Sequence, residues 1–288
     1  MRVYNDNNKA SVNSSPLGAG GHHLFIIKIG GNIIDDEAKL SSFLSSFAAI
    51  KEKKILIHGG GKLATKLASQ LGIEQQMIDG RRITDAETLK IVTMVYAGFI
   101  NKNIVAQLQA KGCNAIGLCG ADGNVILAHK RVPKAPPDYG FVGDIDAINT
   151  SLLRNLLDQS VDVVVAPITH NKEGQLLNTN ADTIASALAV ALSKQYDVRL
   201  IYCFEKKGVL ENVEDEDSVI RLITKEKYQK LLAEQKLFAG ILPKIDNAFA
   251  AIDAGVKEVL IGDANDLIQN TTEETVGTLI TAVSPNRS

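Results

Sequence analysis

Tryptophan is absent from the 288 residues, aromatic residues make up 5%, and there are three cysteines. A chain so poor in aromatic faces is a weak candidate for stacking on nucleic-acid bases. Cys113, Cys119 and Cys203 are scattered and form no Cys-x-x-Cys pair. That excludes a disulfide framework or a thiolate metal site and fits reduced thiols in a cytoplasmic protein. Charge of one sign is lacking too. Lys and Arg total 31 against 33 Asp and Glu, a formal net charge of -2, so no basic surplus invites nucleic acid or an anionic membrane. No apolar run approaches the ~20 residues that cross a bilayer, and no internal repeat of ~20–50 residues is visible. Neither phosphate fingerprint occurs: there is no Gly-x-x-x-x-Gly-Lys-Ser/Thr loop, and no glycine turn reads Gly-x-Gly-x-x-Gly.

What is present is an ordinary globular composition, 45% hydrophobic and 22% charged, long enough for one large domain or two modest ones. Residues 1–23 are rich in Asn, Ser and Gly, have no period and lack the apolar stretch of a secretory signal, so a flexible tail is expected. From Leu24 onward, short β-branched runs alternate with helical patterns. LFIIKI (residues 24–29), KILIH (54–58), VDVVVAPI (161–168), VRLIYCF (198–204) and VKEVLI (256–261) read as buried strands. Asp35-Asp36-Glu37 reads as a helix start. Strands separated by helices predict an α/β fold with a mainly parallel, doubly covered sheet. Residues 85–111 read as one long helical stretch with a broad apolar face, equally suited to core or to a subunit interface. Residues 124–146, with Pro133, Pro136, Pro137 and Gly140, read as a hairpin or lid.

Two strands end in glycine, at Gly30-Gly31 and at Gly59-Gly60-Gly61. Glycine at a strand end lets the backbone approach a ligand, and a following helix adds unpaired N–H groups. Both turns are expected at the carboxyl edge of the sheet, where open α/β folds bind ligands. Lys28 lies inside the first apolar run, where an unpaired ammonium is costly. It either forms a structural ion pair or faces a phosphate. Lys244 follows Pro243 at an expected helix start, where the helix dipole opposes a cation unless an anion joins it. Asn178, Asn180 and Asp182 alternate just before another helix, as caps or as lining of a site.

These residues resemble the amino acid kinase family, and within it the kinases of N-acetyl-L-glutamate. The resemblance runs from Leu24 to about Ala282. It is carried by IKIGG, IHGGGK, DGRRITD, GLCGADG, GFVGDIDAIN, NTNAD and AGILPKIDNA in that order. It implies a three-layer αβα sandwich around a mainly parallel open sheet. Residues 24–177 would form an N-acylglutamate-binding and dimerisation lobe, and residues 178–288 an ATP-binding lobe. The implied reaction is phosphorylation of the side-chain carboxylate of an N-acylated L-glutamate by ATP, with Mg²⁺ carried on the nucleotide and no protein metal site. By the same resemblance Lys28, Lys244 and Asp182 are catalytic. Gly60, Gly61, Arg82, Asn178 and Asn180 bind substrate. Lys28, Gly30, Gly31 and Lys244 contact phosphate. His58 is read as orienting the triple-glycine turn. The long helix would join a homodimer, and because residues 1–23 lack the helical pattern of the arginine-inhibited members, no arginine feedback is expected.

The chain departs from the family in two places. Where a Thr/Ser-Asp pair is usual it has Phe204-Glu205, and no site residue is expected in that stretch. Arg81 stands beside Arg82 where an apolar residue is usual. An extra cation there suits plain surface, or a more acidic substrate such as N-succinyl-L-glutamate. A non-catalytic sensor on the same fold is the reading from another class.

Overall fold

The structure, a computed structural model, describes residues 23–78, 81–133, 137–212, 214–234, 236–237 and 241–282. The expected tail, His23 apart, and the side chain of Arg81 lie outside the described residues. The strands are β1 (His23–Ile29), β2 (Lys53–His58), β3 (Met77–Ile78), β4 (Arg81–Arg82), β5 (Ala115–Leu118), β6 (Ile126–Lys130) and β7 (Gly143–Ile148). They continue with β8 (Asp162–Val165), β9 (Ile168–His170), β10 (Leu176–Asn178), β11 (Asp197–Phe204), β12 (Leu222–Ile223), β13 (Glu258–Asp263) and β14 (Thr278–Ile280). The helices are α1 (Gly31–Ile34), α2 (Glu37–Ala49), α3 (Gly61–Gln70), α4 (Ala86–Thr93), α5 (Asn101–Ala110), α6 (Thr150–Asp158), α7 (Ala181–Leu192), α8 (Lys225–Ala233), α9 (Leu242–Asp253) and α10 (Leu267–Asn270).

One eight-stranded sheet has the order β12-β14-β13-β11-β1-β2-β8-β5. Its pairs are parallel except β13 with β14. The expected β-branched runs form its centre, because a strand covered on both faces must be apolar throughout. Side chains of β1 alternate between two cores. Leu24 and Ile26 face a cluster holding Ile184 and Leu188 of α7 and Ile245 of α9. Phe25, Ile27 and Ile29 face a cluster holding Phe43 and Phe47 of α2 and Ile104 of α5. Helices therefore cover both faces, as a three-layer αβα sandwich requires.

The expected strand over residues 161–168 is divided. Asp162–Val165 pairs in the main sheet, whereas Ile168–His170 joins a four-stranded sheet of order β10-β9-β6-β7. Pro167 sits at the break; it has no N–H for a ladder, and its ring restricts the residue before it. β6 and β7 form the antiparallel hairpin expected over residues 124–146. The long helical stretch is present, but Met94–Ile100 between α4 and α5 is π-helical. A period near 3.6 in the sequence does not reveal that widened turn.

Candidate active site

The first glycine turn follows β1 and the second follows β2, and these strands are parallel with Ile29 opposite His58. β11 pairs parallel with β1 on the other side, with Lys28 opposite Tyr202. Gly30-Gly31, Gly59-Gly60-Gly61 and Phe204-Glu205 therefore leave the sheet at one carboxyl edge. A cavity of about 480 Å³ opens there, with Gly30, Gly31, Gly61, Phe204, Glu205 and Lys244 in its wall.

Strand alternation puts Lys28 on the same face as Leu24 and Ile26, toward α7 and α9. There its Nζ lies 2.7 Å from Oδ1 of Asp182 in the first turn of α7. Lys28 is thus buried and ion-paired, the structural alternative of the sequence reading; a phosphate-facing role is left to the chemistry of its neighbours. Lys244 enters from the first turn of α9, behind Pro243. Its Nζ stands 3.6 Å from the centre of the Phe204 ring, and Lys28 Nζ stands 5.7 Å from the same ring. Burial holds the Lys244 ammonium below the usual lysine range; Asp182 opposes that shift and Lys28 adds to it. The structure thus brings together all three expected catalytic residues.

The glycines divide by role. A Cβ on Gly30 would meet nothing within 4 Å, so packing does not demand glycine there. Gly60 has φ +150°, and a Cβ on it would come 2.4 Å from Cδ1 of Ile100 and 3.0 Å from Cδ1 of Tyr96. The π-helical segment presses on this turn, so Gly60 is set by close approach. Gly61 lines the cavity and its carbonyl accepts from Arg82 Nη2 at 2.9 Å.

Arg82 is buried and also donates to Thr65 Oγ1 at 2.9 Å and to Gln75 Oε1. It forms no ion pair among the described residues, which leaves its charge for a ligand anion. Asn178, the last residue of β10, pairs with Ile168 of β9 and donates from Nδ2 to Thr84 Oγ1 at 3.0 Å. Asn180 is the N-cap of α7: its Oδ1 accepts from the backbone N–H groups of Asp182 and Thr183 at 2.8 and 3.1 Å. That is the capping use weighed in the sequence; its amide NH₂ has no partner among the described residues. His58 is fully buried, with Nδ1 2.8 Å from the Gly59 carbonyl and Nε2 3.3 Å from Asn101 Nδ2. Burial lowers its pKa to about 4, which keeps the ring neutral and suits the expected role of holding the turn.

The model of the amino acid kinase family matches residues 23–263. The chain belongs to that family. The acetylglutamate kinase of Cytophaga hutchinsonii is 57% identical over 260 residues, which cover 90% of this chain and 98% of that protein. The acetylglutamate kinase of Phocaeicola vulgatus is 56% identical over 238 residues, 83% of this chain and 92% of its own. Among solved structures, smu.665 from Streptococcus mutans UA159 superposes with a TM-score of 0.71 at 31% identity, covering 91% of this chain and 99% of that one.

For an amino acid kinase, the stretch excluded from the site at the sequence level is the surprise. Phe204, Glu205 and Lys206 all line the cavity. Glu205 accepts a 2.7 Å hydrogen bond from Asn32 Nδ2, and Lys62 donates to Asn32 Oδ1. Asn32, Lys62, Phe204 and Glu205 were not among the expected site residues. The signal that could have found them is positional: each lies at or just after the carboxyl end of a buried parallel strand, the edge at which β1 also ends, one residue past Lys28.

Proposed function

We propose that this amino acid kinase transfers the γ-phosphoryl group of ATP to the side-chain carboxylate of N-acetyl-L-glutamate, giving N-acetyl-L-glutamyl 5-phosphate for arginine biosynthesis. The observation that carries it is the pairing of Lys28 with Asp182 beside Lys244 at the wall of the cavity. The high identity to acetylglutamate kinases over nearly their whole length supports the choice of substrate.

The chemistry suits such a site. A glutamate side chain has a pKa of ~4.3 and is already ionised at neutral pH, so no general base is needed. The barrier is the approach of one anion to another. Lys28 and Lys244 supply preorganised positive charge along the transferring group, and Asp182 holds Lys28 in place. Gly30, Gly31 and Gly61 let backbone N–H groups approach the phosphate oxygens. Arg82, with no acid partner among the described residues, would take a substrate carboxylate near Gly60 and Gly61, with Asn178 and the free amide of Asn180 on the acyl amino acid. In this reading residues 24–177 bind the acyl amino acid and residues 178–288 hold the nucleotide. Mg²⁺ would arrive on the nucleotide phosphates and help neutralise them. Met94 and Phe99 are exposed on the long helical stretch, which supports its use as the homodimer face.

The test is ADP release from MgATP with N-acetyl-L-glutamate and N-succinyl-L-glutamate in parallel, using Lys28→Ala and Lys244→Ala as controls. Turnover of the acetyl substrate, lost in both variants, is expected. Preference for the succinyl substrate would move the specificity. No turnover of either by the folded protein would leave the fold serving as a sensor.

A further inference from the structure

The backbone N–H of Lys244 donates to the Ile241 carbonyl at 3.0 Å, but its ammonium makes no hydrogen bond and no ion pair among the described residues. Its direct partner is an aromatic face, with Nζ 3.6 Å from the Phe204 centroid. A cation over a ring face is held by the negative centre of the ring quadrupole, and more firmly when partly desolvated. The ring is itself fixed. Phe204 ends β11 opposite Asp263. It stacks on Tyr202 with centroids 6.3 Å apart and planes inclined by 22°. The Tyr202 hydroxyl in turn reaches the backbone carbonyl of Asp182 at 3.4 Å. Phe204, Tyr202, Asp182, Lys28 and Lys244 thus form a connected set of contacts, of which Phe204 and Lys244 line the cavity.

We propose that Phe204 is a positioning residue for phosphoryl transfer, its ring face holding the Lys244 ammonium toward the cavity while leaving all three N–H donors for phosphate oxygens. The chemistry of the position favours this role over the obvious alternatives. A carboxylate there would neutralise the charge the reaction needs. A carbonyl or hydroxyl would take one of the donors. An aliphatic side chain would fill the space and attract nothing. The aromatic face orients the cation at no cost in hydrogen-bonding capacity. The charged groups that face Lys244 are Asp182 from α7 and Lys28 from β1, and Glu205 and Lys206 line the same cavity. The inference rests on the reading of Lys244 as a phosphoryl-facing lysine.

The test uses the full chain with MgATP and N-acetyl-L-glutamate, and compares Phe204→Leu, Phe204→Tyr and a trifluorinated phenylalanine at the same position. The last keeps the shape of the ring and removes its negative face, so it reports on the interaction even where Phe204→Leu fails to fold. Phe204→Leu and the fluorinated ring are expected to lower kcat roughly 2- to 30-fold, the range of a partly buried cation–π contact. They should leave the KM for N-acetyl-L-glutamate unchanged and move the alkaline limb of the kcat–pH profile to lower pH. Phe204→Tyr should restore both. A fluorinated enzyme with unaltered kcat and pH profile, or one changed only in its KM for ATP, would overturn the proposal and leave Phe204 as a wall for the nucleotide. Lys244→Ala is run alongside. If it keeps full turnover, the reading of the site itself fails; if it loses turnover while the fluorinated enzyme does not, only this inference fails.

Discussion

The carboxylate of Asp182, in the first turn of α7, meets the ammonium of Lys28, in the central strand β1, at 2.7 Å. The lysine side chain is 11% exposed and the carboxylate 40%, so the cation is the member that depends on the pair. Removing either lysine of the cluster should cost on the order of 10²–10³ in kcat, the scale of a single preorganised electrostatic donor. Asp182→Asn should lower kcat by a similar order, because Lys28 loses its anchor. The Lys28→Ala, Lys244→Ala double variant should lose far less than the product of the single losses, since the residues act as a unit. Steady-state kinetics on the four proteins checks this; full additivity would mean the lysines act independently.

Arg82 should govern the acyl amino acid and not the nucleotide. Arg82→Lys keeps the charge but loses the fork that now spans Gly61, Thr65 and Gln75. The KM for N-acetyl-L-glutamate should rise about 10- to 100-fold, as loss of a charge-assisted contact implies, with the KM for ATP little changed. A rise confined to ATP would place Arg82 elsewhere in the mechanism.

The two glycine turns should respond differently to alanine. Gly60→Ala drives a Cβ to 2.4 Å from Ile100 at a φ of +150° and should destabilise the fold by about 2 kcal/mol or more. Gly30 has φ -89° and open space around it. Gly30→Ala should therefore melt with the wild type yet raise the KM for ATP, because the new methyl projects where the backbone is expected to approach phosphate. Thermal melts and kinetics on the two variants separate the roles.

His58 gives the fold an acid-sensitive element. Its folded pKa of about 4 lies below the unfolded 6.5, so between these values the unfolded chain binds the extra proton. Stability from this group is complete above pH 6.5 and is lost as pH falls toward 4, by up to about 3 kcal/mol if the shift is fully realised. Urea midpoints from pH 7 to pH 4 should fall less steeply in His58→Gln than in the wild type. Parallel slopes would show that other groups carry the acid sensitivity.

The exposed apolar side chains of the π-helical segment offer a test of assembly. Phe99 is 64% exposed and Met94 54%. Phe99→Asp should convert a dimer to a monomer in light scattering. A wild-type monomer would remove the homodimer from the proposed function.

Much of this arrangement is legible in the sequence because it consists of polar residues in apolar runs. Lys28 inside LFIIKI and Lys244 inside its helix start stand out for that reason, and the glycine pairs mark the strand ends beside them. Other parts have no local signature. Glu205 accepts from Asn32 across 173 residues of chain, and nothing near either residue announces the contact. The π-helical turn keeps the apolar spacing of an α-helix, so the pattern conceals it. Pro167 stands in plain view inside a run read as one strand, and the division of that strand follows from its missing N–H. Phe204 lacks the hydroxyl that the family pattern leads one to expect, and nothing in the sequence announces that its ring lines the cavity beside Lys244.

β1 is bonded to a parallel neighbour along both edges, β2 on one side and β11 on the other. Amide protons in such a strand exchange only when the molecule as a whole opens. Lys28 therefore rides on one of the most immobile stretches of chain, while Lys244 is carried by a helix at the surface of the sandwich and is held by a ring face instead of by directional bonds. The two cations differ in how they are held: one is ion-paired on a doubly bonded strand, the other faces a ring from the start of a helix. Charge on the sheet side of the cluster is thus set by the most enclosed strand of the chain, and charge on the helix side by the ring it faces.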